Sequence, residues 1–473
     1  MRKQPNLHTL GYFILFQLLA GFTHAQTINV CTDFCSKDLS VPISGITIGT
    51  DMAIPYGKNG TSDVFSDVFY KKNRCEGDIA GPTICKNDAA YLVYDAYYPS
   101  NNDYLNCKLP AVILVHGGSW DECSDYRNAG IVKLCQEFAK RGFVAFSIQY
   151  RTGVLVDRNI VPNDPSRTYT SAQQLLAIYR GCQDVRGAIR SIIKRQNDGL
   201  NVNYQINVNK LFIGGVSAGS VIALSTAYYQ TQSQYDAVFP GISTSLGSID
   251  RNFYDIDYPT YYNFFPNVKG VFDCWGGLTI PIANESNPYS FFSANPKKYP
   301  IIAFHGLSDP LFDYQKQYMY FSPSGSITNS ETHCLLANFS LAGDPAAQDN
   351  VTLGSQGIYD MFKANGIPAE LYLDCNMEHG LDDDCVVCSM VPNRTKNTCT
   401  PCTFDSDFGT AYTNSDAVYE YMVGRGATFF QTILGGVSTS LTGDSRFVDC
   451  KNNRVTCNTT DNNPGCANDG SCF

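Results

Sequence analysis

The feature that most constrains this chain is a short apolar run, Leu211-Phe212-Ile213, leading directly into Gly215-Val216-Ser217-Ala218-Gly219 and then into a helical pattern from Ser220. A turn from strand to helix this tight forces its central residue into a strained backbone conformation. Side chains at the flanking positions would collide, so both are glycine. Such a turn lifts the Ser217 hydroxyl clear of the strand, and the helix N-terminus beneath it favours negative charge. The pentapeptide alone also fits a glycine-rich loop in any α/β protein. The apolar run before it and the helix pattern after it favour an exposed nucleophile.

Further apolar or β-rich runs lie at Tyr91–Tyr98, Leu109–Val115, Phe143–Ile148, Val268–Phe272, Tyr299–Phe304 and Ala369–Leu373. Runs that are apolar throughout, rather than alternating, are expected of strands buried on both faces. Between them stand helical patterns. Ile131, Leu134, Cys135, Phe138 and Ala139 share one face, stopped by Gly142, and Leu175, Ile178, Cys182, Val185, Ile189 and Ile193 share another. Ser220–Tyr229 and Ser415–Ile433 are further expected helices. The alternation predicts an α/β fold, a doubly wound and mostly parallel sheet with helices on both faces. With 44% hydrophobic and 16% charged residues, the chain can offset the entropy of folding and is not expected to be disordered.

The domain expectation is a leader at residues 1–25, a polar cysteine-containing extension at 26–87, one α/β domain at 88–435 and a cysteine-rich tail at 436–473. Polar insertions are expected at Tyr314–Ser355 and Leu381–Ala411. Arg2 and Lys3, the apolar stretch Leu10–Phe22 and Thr23-His24-Ala25 have the form of a secretory signal cut after Ala25. A membrane anchor is the alternative, but the stretch is interrupted by Gln17 and falls short of the roughly 20 residues that span a bilayer. The mature chain is therefore expected to be secreted (periplasmic in a bacterium) and without a membrane span. All 19 cysteines follow the cut, so disulfides in the insertions and tail are expected. An odd count leaves at least one thiol unpaired within the chain, with Cys182 the candidate. Cys385, Cys388, Cys399 and Cys402 also have zinc-ligand spacing, but export favours disulfides. Asn-x-Ser/Thr sequons at Asn59, Asn284, Asn338, Asn350, Asn393 and Asn458 would carry glycans in a eukaryotic host. A net charge of −10 without a basic run gives no electrostatic footprint for nucleic acid.

A nucleophile at Ser217 needs an oxyanion site, an acid and a base. His116-Gly117-Gly118-Ser119-Trp120 directly follows the apolar run Leu109–Val115. Glycines there let backbone N–H groups approach a developing oxyanion. The candidate donors are Gly117, Gly118 and Ser119 with Ala218, while His116 is expected to brace the loop. Which of these donors act is left open. For the base, His8 and His24 depart with the leader, and His305 sits at a strand end where the acid is wanted. With chain order Ser, acid, His, His333 and His379 remain, and His379 is favoured because it follows a strand. The acid is expected just beyond a strand: Asp309 first, with Asp273 and Asp313 as rivals. Its task is to hold the imidazole in one tautomer and stabilise its charge. The aromatic stretch Asn252–Phe265 is either a pocket or lid or a loop packing its rings onto the core.

HGGSW, Tyr150-Arg151-Thr152-Gly153, Asp184-Val185-Arg186-Gly187-Ala188-Ile189-Arg190, GVSAG and His305-Gly306-Leu307-Ser308-Asp309-Pro310 together resemble the esterase/lipase branch of the α/β-hydrolases. The chain is similar to secreted carboxylesterases, including feruloyl- and acetylxylan-esterase-like members, over residues 88–435 in order. The resemblance implies an α/β-hydrolase fold, an acyl-Ser217 intermediate, and neither metal nor cofactor. The sequence departs from the family at Ser119, where many members have a third glycine, and at Ser220, where related peptidases have glycine. The expected function is carboxylic-ester hydrolysis on a small-molecule or polymer-borne ester. A serine peptidase on the same fold and a non-catalytic binding or adhesion protein are the alternatives.

Overall fold

The structure, a computed structural model, describes residues 37–56, 92–118, 120, 126–151, 171–250, 263–307, 309, 311–318, 350–374, 379 and 415–435. The expected leader, the expected insertion at 381–411, the tail from 436, His333 and Ser119 lie outside the described residues, as do the CxxC pairs.

Eight strands make the main sheet: β1 (Ile48–Pro55), β2 (Val93–Pro99), β3 (Lys108–Val115), β4 (Val144–Ile148), β5 (Gln205–Val216), β6 (Val268–Cys274), β8 (Ile301–Gly306) and β11 (Ala369–Asp374). Their order is β1-β2-β4-β3-β5-β6-β8-β11. The six from β4 to β11 run parallel, and β1 and β2 form an antiparallel margin. Side chains alternate across the sheet. Ala111, Ile113 and Val115 of β3 therefore face α2 (Ser171–Asn197) and α3 (Ala218–Tyr228), while Val112 and Leu114 face α1 (Ala129–Ala139) and α7 (Ser415–Leu434). Helices thus cover both faces, as the alternation of patterns predicts. Helix α3 is buried along its whole length, which explains why its sequence lacks a polar face.

Two readings need revision. Ile48–Pro55 lies in the segment expected to be a polar extension, yet it is the sheet's first strand. Its register shifts between Asp51 and Ile54, where Ala53 has φ 53° and donates its N–H to Asp95. The insertion expected at Tyr314–Ser355 contributes β9 (Lys316–Tyr318) and β10 (Asn350–Gly354), and β10 pairs with β7 (Gly277–Pro281) on one side and with β9 on the other in a small antiparallel sheet. This sheet adds Leu278, Ile280, Val351 and Leu353 to the core on the α2 and α3 side. Asn350 is buried and donates to the Val238 carbonyl, so that sequon has no room for a glycan. Helix α6 (Ser355–Ala364) follows β10 directly, after the short α4 (Gln232–Val238) and α5 (Ile242–Leu246) earlier in the chain. Cys182 is a free buried thiol, and so are Cys135 and Cys274. No helix among the described residues is long and apolar enough to cross a membrane.

Strand register levels the carboxyl ends that matter. Val115 of β3 lies opposite Gly215 of β5, Val216 opposite Cys274 of β6, and Cys274 opposite Phe304 of β8. Ligand and reaction sites of open α/β sheets form outside such carboxyl ends.

Candidate active site

Ser217 sits between β5 and α3 with φ 54° and ψ −125°, a conformation that L-residues avoid. The strain is held by close packing on both sides. A Cβ on Gly215 would come within 2.4 Å of the Gly219 carbonyl, and one on Gly219 within 2.2 Å of the Val115 carbonyl oxygen. Only hydrogen fits at either position. The Ser217 N–H donates to the Cys274 carbonyl at 2.9 Å, tying the turn to the end of β6.

The Ser217 Oγ lies 2.6 Å from His379 Nε2, and His379 Nδ1 lies 2.7 Å from Asp309 Oδ2. An ionised carboxylate only accepts, so His379 carries its proton on Nδ1. The Nε2 lone pair is then free to accept from the Ser217 hydroxyl. The three residues singled out in the sequence are therefore brought together, each within hydrogen-bond reach of the next. Asp309 is buried, and its Oδ1 accepts the backbone N–H groups of Leu311 and Phe312. Burial alone would raise the pKa of this carboxyl. The charge of His379 and the hydrogen bonds from His305 and His379 outweigh it and hold the group well below the usual carboxylate range. The Phe312 ring stacks on the His379 imidazole at 5.5 Å, which limits its rotation.

The rival acids have other tasks. Asp273 is buried and accepts from Ser220 Oγ, Ser355 Oγ and the Gly276 N–H. Asp313 caps the turn before β9 through the N–H groups of Gln315 and Lys316.

Gly117 of the HGGSW sequence packs against the Ser217 turn. A Cβ on Gly117 would stand 2.9 Å from the Val216 carbonyl oxygen and 3.2 Å from Ser217 Cβ. Gly118 has φ 102° and Trp120 φ 59°. Ala218 opens α3, and the first N–H groups of a helix have no intrahelical acceptor. Gly117 and Ala218 thus both adjoin Ser217, whereas Ser119 falls outside the described residues. His116 braces the loop: its Nδ1 donates to the Gly117 carbonyl at 2.8 Å and its ring stacks on Tyr150 at 4.4 Å. Burial lowers its pKa to about 4, so at neutral pH it is an uncharged donor and not a competing base.

Sequence reasoning passed over His305 and Ser355. In the sequence His305 is set aside as a base because it stands at the strand end where the acid is wanted, and Ser355 marks the end of an expected insertion. Both meet the triad's buried side, with His305 Nε2 3.2 Å from Asp309 Oδ2. A histidine four residues before a candidate acid at a strand end was the available signal. In the aromatic stretch, Phe264 and Phe265 are buried against the Arg186 guanidinium, and residues 252–262 lie outside the described residues. Among the described residues, no group of three or more His, Cys, Asp or Glu is placed to hold a metal ion.

Residues 94–163 match a family model described as BD-FAE. No curated protein matches the chain. Among solved structures, the chain is similar to Thermogutta terrifontis esterase 2 with propionate bound, at 14% identity and a TM-score of 0.36, over 73% of this chain and 92% of that one. Similarity to esterase B from Lactobacillus Rhamnosis is 14% identity and TM-score 0.34, over 78% and 87%. The dienelactone hydrolase-like promiscuous phosphotriesterase P91 from metagenomic libraries is 10% identical with TM-score 0.36, over 72% and 93%. At such scores these likenesses carry no weight for mechanism, which rests on the site itself.

Proposed function

We propose that this chain is a serine carboxylic-ester hydrolase of the α/β-hydrolase type. The observation that carries the reading is the unbroken hydrogen-bond chain from Ser217 Oγ through His379 to Asp309, standing on a strained strand-to-helix turn. Ser217 Oγ attacks the ester carbonyl carbon while its proton passes to His379 Nε2. Asp309 accepts from Nδ1 throughout and stabilises the imidazolium. Backbone N–H groups of Ala218 and the Gly117–Gly118 loop receive the oxyanion. His379 then protonates the departing alcohol, leaving an acyl-Ser217 ester. Water deprotonated by His379 attacks the acyl carbon, and collapse of the second tetrahedral intermediate frees the acid and restores Ser217.

The N-terminal leader and the cysteine content support export, so the esters would be extracellular ones, free or borne on polymers. A feruloyl- or acetylxylan-esterase-like preference is the finer part of the proposal. Release of p-nitrophenol from acetyl, butyryl and octanoyl esters by wild type and Ser217→Ala tests the reaction. Turnover of the short esters that is lost in a folded Ser217→Ala protein is the expected result. Equal activity, or equal inactivity, of the two proteins overturns it. Release of ferulate or acetate from decorated xylan by wild type tests the preference.

A further inference from the structure

Beneath Asp309 lies a second run of hydrogen bonds that the reaction above does not use. His305, on β8, is fully buried. Its Nε2 faces both the Phe312 carbonyl at 3.0 Å and Asp309 Oδ2 at 3.2 Å. Neither oxygen has a proton to give when Asp309 is ionised, so Nε2 must carry one. Its Nδ1 lies 2.8 Å from Ser355 Oγ, and Ser355 Oγ lies 2.7 Å from Asp273 Oδ2. Ser355 owns one proton, so its direction fixes the state of its neighbours. Asp273 also faces the Ser220 hydroxyl and the Gly276 N–H. Both of these donors are directed at Oδ1, and the Ser355 hydroxyl at Oδ2 completes a set that satisfies Asp273 as a carboxylate against the opposing effect of its burial. The Ser355 proton then points to Asp273, its lone pair faces His305, and His305 Nδ1 must also be protonated.

We propose that His305 is a positioning residue, an imidazolium joining Asp309 to Asp273 through Ser355, which shares the field of Asp309 with the imidazole of His379. This rests on the reading of Ser217, His379 and Asp309 as a catalytic triad. Among the described residues, the groups facing His305 are Asp309 and the Phe312 carbonyl from the loop after β8, Ser355 from the start of α6 and, through its charge, Asp273 of β6, while His379 after β11 is bonded to Asp309. Tyr228 of α3 and Cys274 of β6 lie in the field of Asp273, and burial keeps both protonated far above neutral pH. Burial opposes a charge on His305, but the hydrogen bond and charge of Asp309, with the charge of Asp273, prevail and raise its pKa. Burial likewise raises the pKa of Asp273, against the pull of Ser220, Ser355 and His305.

With His305 charged, Asp309 divides its field between two imidazoles. Without that charge, Asp309 holds the imidazolium of His379 more tightly, and the acid limb of kcat/KM moves to higher pH. The test measures kcat/KM for p-nitrophenyl butyrate against pH in wild type, His305→Gln and Ser355→Ala, with active sites counted by a fluorophosphonate probe. Glutamine keeps an N–H toward Asp309 and removes only the charge. Ser355→Ala leaves the imidazole in place and cuts its link to Asp273. The expected result is an acid limb displaced upward by on the order of one pH unit in whichever variants fold. A merely structural role lowers the plateau and leaves the limb where it is, which overturns the proposal. If neither variant folds, 15N-histidine labelling of wild type near pH 7 decides. Two protonated nitrogens on a histidine that persists when Ser217 is phosphonylated support the imidazolium, and one protonated nitrogen on every histidine overturns it. Failure of wild type to take up the fluorophosphonate would instead overturn the triad reading.

Discussion

Buried carboxylates in this molecule are handled in two ways, according to where they lie. Away from the carboxyl ends of β6 and β8, guanidinium groups meet them. Asp184 faces Arg151 at 2.9 Å, Glu137 faces Arg141 at 2.8 Å and Asp95 faces Arg127 at 2.8 Å, and the half-buried Asp250 likewise faces Arg186 and Arg190 at 2.7 Å. At the site, Asp309 and Asp273 are met by histidines, hydroxyls and backbone N–H groups, and among the described residues neither is paired with an arginine or lysine. Arginine keeps its proton at any working pH, so its pairs are fixed charges. Histidine gains and loses a proton near neutrality. The first region spends its ion pairs on holding helices and loops in place, and the second keeps its charge adjustable.

The difference can be broken most severely at Asp309. Asp309→Asn removes the acceptor that fixes the His379 tautomer, and kcat should fall about 10⁴-fold. Steady-state kinetics with active-site counting checks this. The matching change in the other region, Asp184→Asn, strands the Arg151 guanidinium and should cost about 3–5 kcal/mol of stability. Urea unfolding followed by circular dichroism measures it. Should Asp184→Asn instead lower kcat as severely as Asp309→Asn, with stability intact, the division fails.

His116 sharpens the contrast, because it is a buried histidine kept neutral. Its folded pKa of about 4 lies below the unfolded imidazole value of about 6.5. The unfolded chain therefore binds the proton first as pH falls, and stability declines through that window. The full decline from this one group is about 3 kcal/mol. Unfolding free energies measured at about pH 7 and pH 4.5 in wild type and His116→Asn should show a shallower slope in the variant. At the small end stands Lys194 with Asp198, a half-exposed pair one helical turn apart. Lys194→Gln should change stability by under about 0.5 kcal/mol, and high salt should erase the difference.

The nucleophile turn was legible because its cause is local. Gly215 and Gly219 are demanded by contacts that any tight strand-to-helix turn makes, so the residues announce the geometry. Asp309 and His379 followed from chain order and strand ends, since a parallel sheet delivers successive loops to one edge. The edge strand Ile48–Pro55 was not legible. Its burial alternates only weakly, its partner β2 lies 38 residues further on, and pairing with β2 is what makes it a strand. Ser355 and His305 were missed for a related reason. Neither belongs to a local pattern, and their meaning comes from Asp273, a residue of a different strand placed there by β6 and β8 pairing in parallel.

The two tryptophans of the chain, Trp120 and Trp275, are both buried and both hold left-handed backbone. Trp120 belongs to the core on one face of the sheet and Trp275 to the core on the other. Trp120 ends the loop that packs on Ser217, and Trp275 follows the residue whose carbonyl receives the Ser217 N–H. Indole emission from this protein therefore has two sources, one on each face of the sheet that carries Ser217. A red shift or quenching of that light reports water reaching the strained turns around Ser217, without any label and without averaging over the rest of the chain.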